Sequence, residues 1–81
     1  MAKGEKLLEK MRQNPIGWRI AQVATVCRSF GIACNPPSKG SHYKLSHETQ
    51  VEILTIPAHR PIKAPYIRDL IDFVDAVRSA S

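Results

Sequence analysis

The spacing of apolar positions changes twice along the chain, and the changes divide it into elements. Leu7, Leu8 and Met11 make a short helical stripe over 5–13, ended by Asn14-Pro15. After the turn at Gly17, Ile20, Val23, Ala24, Cys27 and Phe30 recur at three- and four-residue spacing. This predicts a second helix with Gly31 as its C′ stop. Trp18 stands just before it, where it can staple the helix entry onto the core. The two segments read as one helical unit broken near Pro15.

The period then shortens. Ile32-Ala33-Cys34 is an extended candidate, closed by the turn formers of Asn35-Pro36-Pro37 and Ser38-Lys39-Gly40. Residues 41–47 alternate, with Ser41, Tyr43, Leu45 and His47 on one face and His42, Lys44 and Ser46 on the other. Glu48-Thr49-Gln50 fits a hairpin connection. Val51 to Ile56, rich in β-branched residues and ended by Pro57, reads as the strongest strand. A loop over 58–64 leads to Pro65, which suits the first position of a final helix lined by Ile67, Leu70, Ile71, Val74 and Val77. The expected fold is a single α+β domain over 1–81 of order α-β-β-β-α. A three-stranded antiparallel sheet carries helices on one face and leaves the other open. Double-stranded-RNA-binding domains share that topology, although a fold alone assigns no function.

Length and charge narrow the function. A chain of 81 residues buries only roughly two-thirds of its unfolded surface, too little for a large enclosed cofactor cavity. Twelve Lys and Arg against seven Asp and Glu give a net charge of +5, and positions 10–47 contain no carboxylate. Lys10, Arg12, Arg19, Arg28, Lys39 and Lys44 occupy that stretch. A face of that kind attracts phosphates or an acidic protein surface. Cys27 and Cys34 form no Cys-x-x-Cys motif, and both read as small core residues. No apolar run approaches 18 residues and nothing resembles a signal peptide, so the expected location is cytoplasmic, away from membranes.

Candidate chemistry centres on Gly40-Ser41-His42-Tyr43. Alternation turns His42 and Lys44 outward together while Tyr43 and Leu45 face the core. An imidazole titrates near neutral pH, and a lysine holds phosphate or offsets developing negative charge, a pairing suited to RNA cleavage. Gly40 lets the backbone approach a phosphate closely, and Ser41 adds a hydroxyl donor. Ser41-His42 does not make a hydrolase dyad, because adjacent strand residues point to opposite faces. On these residues alone, a solvated surface histidine is the simpler reading of His42. His47 lies at the hairpin turn. His59, with Arg60 and Lys63 nearby, is a further candidate for phosphate binding or a second proton transfer; anchoring its loop through a backbone carbonyl is the simpler role. Histidines at 42, 47 and 59 lack a nearby acidic or thiolate ligand, so no metal and no cofactor is expected.

The order Gly40-Ser41-His42-Tyr43, Val51-Glu52-Ile53-Leu54-Thr55-Ile56-Pro57 and a helix opened by Pro65 resembles the HicA family of toxin ribonucleases. The run Leu54 to Lys63 and the stretch from Leu8 through Asn14-Pro15 to Gly31 are similar too, so the resemblance covers nearly the whole chain. It implies an mRNA-cleaving toxin of double-stranded-RNA-binding-like fold, neutralised by a HicB-like antitoxin. It also makes His42 the catalytic residue, with Gly40 and Ser41 matching the motif. It carries no catalytic role onto His59. Beside that resemblance, the charge of Lys39 and Lys44 is read as holding the phosphate. The rival expectation is a non-catalytic RNA-binding module, and a third is a domain whose basic face serves only protein contacts.

Overall fold

The fold was obtained as a computed structural model in which residues 3–80 are described. Helix α1 spans Lys3–Gln13 and α2 spans Ile20–Ser29. Strands β1 (Ala33–Asn35), β2 (His42–Ser46) and β3 (Leu54–Pro57) follow, and α3 spans Ala64–Ala80. The strands form one antiparallel sheet in the order β1-β2-β3. The α+β order and the three-stranded sheet follow the sequence expectation.

Local chemistry sets the helix ends. Asn14 closes α1 by donating its amide to the Lys10 carbonyl, and its side-chain oxygen accepts from Ile16 in a tight turn. At the start of α2, the Gln22 side chain reaches back to accept the Arg19 amide at 2.9 Å. At its end, Gly31 has φ of +68°, Ile32 donates to the Cys27 carbonyl and Gly31 to that of Arg28, a Schellman motif.

One core joins the layers. Leu8 and Met11 of α1, Val23, Val26 and Cys27 of α2, Leu45 and Ile56 of the sheet, and the expected stripe of α3 are all buried. Helices α1 and α2 approach closely because Gly4 has no side chain: its amide donates to Ser29 Oγ at 3.1 Å, and an added Cβ would collide with that side chain. Arg12 ties α1 to α3 through a bidentate pair with Asp75. The Trp18 indole does not enter the core fully. It donates to the Asn14 carbonyl at 2.7 Å and packs half-buried at the core margin.

One strand departs from expectation. The stretch Val51–Ile56 is not a continuous strand; β3 begins only at Leu54, Val51 is fully exposed and Ile53 largely so. The turn after β2 is self-contained. His47 Nδ1 accepts the Thr49 amide at 3.1 Å, and the Gln50 amide donates to the His47 carbonyl. The ladder therefore ends at Leu45 and Leu54, and residues 51–53 have no partner across it. Strand propensity reports packing against neighbours, and these residues lack the neighbours.

Candidate active site on the open sheet face

Alternation and register build the open face. On β2, His42 and Lys44 are exposed, Leu45 is buried, and Tyr43 is half-buried against the core. Lys44 pairs with Asn35 of β1 and with Thr55 of β3, and all three are exposed, so they stand in one row across the sheet. His42 lies opposite Pro57. Just before β2, Gly40 adopts φ of +80°, a left-handed conformation that costs an ordinary residue about 1–2 kcal/mol. The preceding segment folds back along β2. Pro36, Pro37, Ser38 and Lys39 enclose, with His42 and Lys44, a concavity of about 190 Å³. That is smaller than the roughly 300–1,000 Å³ of clefts that take whole small molecules, and it suits one phosphodiester unit of a polymer crossing the surface.

Lys39, His42 and Lys44 thus come together around the concavity, whereas Gly40 and Ser41 precede β2 and do not line it. Neither Lys39, His42 nor Lys44 has an ion pair or side-chain hydrogen bond among the described residues, so each head group is available to a ligand. His59, Arg60 and Lys63 lie on the connection between β3 and α3, all exposed. Its ends are held by backbone: Ala58 donates to the Ser41 carbonyl at 2.7 Å, and Ile62 to that of Trp18 at 2.8 Å. The expectation that the His59 ring anchors this loop is therefore corrected. The ring has no hydrogen bond among the described residues, and the main chain does the anchoring. His47 is committed to its own turn, its Nδ1 lying 2.7 Å from the Thr49 hydroxyl. Among the described residues, no three His, Cys, Asp or Glu side chains converge as a metal site.

Three features escaped the sequence reading. Asn35 and Thr55 flank Lys44, which only the register reveals. Cys27 and Cys34 meet between α2 and β1. A hydrogen bond from Cys27 favours the Cys34 thiolate and draws that thiol down to about 7, while the same bond, with burial, pushes Cys27 up. The third is an acidic groove of about 280 Å³ on the far side of the hairpin, where Glu52, Asp69 and Asp72 surround Ile53 and Phe73. Its signal was present in the exposed spacing of Asp69 and Asp72 on α3, but Glu52 joins them only because the chain bends at 51–52.

Comparison with family models, curated proteins and solved structures returns no match. No helix among the described residues is long and apolar enough to cross a membrane.

Proposed function

We propose that this chain is an endoribonuclease toxin of the HicA type, a double-stranded-RNA-binding-like domain that cleaves mRNA in the cytoplasm. The observation that carries this reading is the exposed pair His42 and Lys44 lining a small concavity together with Lys39. Lys39 and Lys44 would hold the phosphate, with the Ser41 hydroxyl as a further donor. His42 would take the proton of the ribose 2′-hydroxyl, the 2′-oxygen would attack phosphorus, and the bond to the 5′-oxygen would break. The products are a 2′,3′-cyclic phosphate and a 5′-hydroxyl end. General acid–base help of this kind is worth roughly 10²- to 10⁴-fold in rate.

The same exposed cations would receive an acidic surface of a HicB-like antitoxin, so inhibition needs only occlusion of His42. The test is incubation of purified protein with labelled RNA in EDTA, alongside His42→Ala. The wild type is expected to cleave, and the variant to lose cleavage and growth arrest while it keeps its fold and antitoxin binding. Salt-sensitive binding without cleavage by the wild type would instead identify a non-catalytic RNA-binding module. No RNA affinity at low salt would leave only a protein-contact role for the basic face.

A further inference from the structure

One histidine cannot complete the proposed reaction without a proton for the departing 5′-oxygen. Resting on that reading, we infer that His59 is the second catalytic residue, the general acid that protonates the 5′-leaving oxygen while His42 acts as base. The pairing pattern carries the inference. His42 pairs with Pro57, and the hydrogen bond from Ala58 to the Ser41 carbonyl continues the same register one step past the strand. His59 directly follows Ala58, and Gly40, which has no side chain, directly precedes Ser41. Thr55 and Pro57 share the face of Lys44 and His42, so alternation returns His59 to that face. Ala58 is half-buried and His59 exposed. Pro57 is buried although it stands on the open side, and its same-face neighbours include His42 across the ladder and His59 two residues along.

Diagonal neighbours of this kind have their β-carbons about 7 Å apart. Two imidazoles at that spacing reach opposite sides of one phosphate. The loop backbone is fixed at Ala58 and at Ile62 by main-chain bonds, and the His59 ring has no hydrogen bond among the described residues, so it is free to meet a substrate. Protons balance. His42 gains the 2′-hydroxyl proton, the protonated His59 gives its ring proton to the 5′-oxygen as the P–O bond breaks, and solvent exchange resets both rings. Arg60, exposed beside His59, supplies a cation for the next phosphate.

The test uses an RNA that the wild-type protein cleaves at a mapped position, and the same RNA with sulfur replacing the bridging 5′-oxygen there. A thiolate leaves without a proton. His59→Ala and His59→Gln are expected to cleave the natural RNA roughly 10²- to 10⁴-fold more slowly and the sulfur-bridged RNA at nearly the wild-type rate. His42→Ala should be slow on both. Circular dichroism and thermal melting check that each variant is folded. If the His59 variants match the wild type on natural RNA, or lose equally on both substrates, His59 is not the acid, while the assignment of His42 stands. If wild-type protein cleaves neither RNA, the ribonuclease reading falls and this inference with it.

Discussion

The two ends of the β2–β3 hairpin are built from the same strands and carry opposite chemistry. At the His42 end the pairing runs on past the strand through Ala58 and Ser41, the following loop is tied back to Trp18, and Lys39, His42 and Lys44 have no ion pair or side-chain hydrogen bond among the described residues. At the other end the ladder stops at Leu45 and Leu54, the turn satisfies itself, and Glu52, Asp69 and Asp72 ring a groove floored by apolar side chains. A polyanion therefore has one approach to this sheet, because the second end repels it. The difference also separates two kinds of order. Register fixes the first end to within a residue; at the second, only the turn is fixed, and Val51 is left in solvent.

The largest expected effect comes from the residue beneath both ends. Leu45 is fully buried, with Cys34 and Leu54 as its two cross-strand partners. Leu45→Ala should cost about 2–5 kcal/mol, a large share of the stability a chain this small commands. Urea unfolding followed by circular dichroism checks it; a loss below about 1 kcal/mol would mean that the two ends are not held by a shared core.

A smaller effect tests the charge division directly. In a His42→Ala background, which removes cleavage, Lys44→Gln should weaken RNA binding and lower the slope of log affinity against log salt by about 0.7–0.9. Asp72→Asn, at the opposite end, should leave that slope unchanged. Filter binding between 50 and 200 mM salt, the range over which such contacts weaken, reads both. Equal effects would erase the distinction between the two ends.

The same contrast governs what could be read from the sequence. His42 and Lys44 were legible because a period of two survives in any register. The stripe of α3 was legible because its face is buried along its length, as Ile67 through Val77 show. Val51–Ile56 misled because the β-branched run is real but its partners are not; a turn capped by His47 ends the ladder first. His59 looked like a loop anchor because nothing local reveals that Ala58 bonds Ser41, seventeen positions earlier. Cys27 and Cys34 met for the same reason, since their approach depends on how α2 lies along β1. Alternation and helical stripes are local, whereas register and interlayer contact are decided by the whole core.

The smallest effect divides the carboxylates of α3 among themselves. Asp75 is committed to Arg12, which holds its carboxyl below the usual range, chiefly through the side-chain hydrogen bond. Asp72 lines the groove and has no ion pair among the described residues. Both members of the Arg12–Asp75 pair are substantially exposed, so Asp75→Asn should cost no more than about 1 kcal/mol at neutral pH. A depressed folded value means that the contribution is present above the unfolded carboxylate pKa, about 3.9, and is lost as pH falls through the folded one. The difference between wild type and Asp75→Asn should therefore be full at pH 7 and shrink steadily in acid, while Asp72→Asn should keep the wild-type stability at pH 7. Urea midpoints of the three proteins across that range give the answer. If Asp72→Asn and Asp75→Asn lose the same stability at pH 7, the acidic end is a structural network and not a groove of free charge.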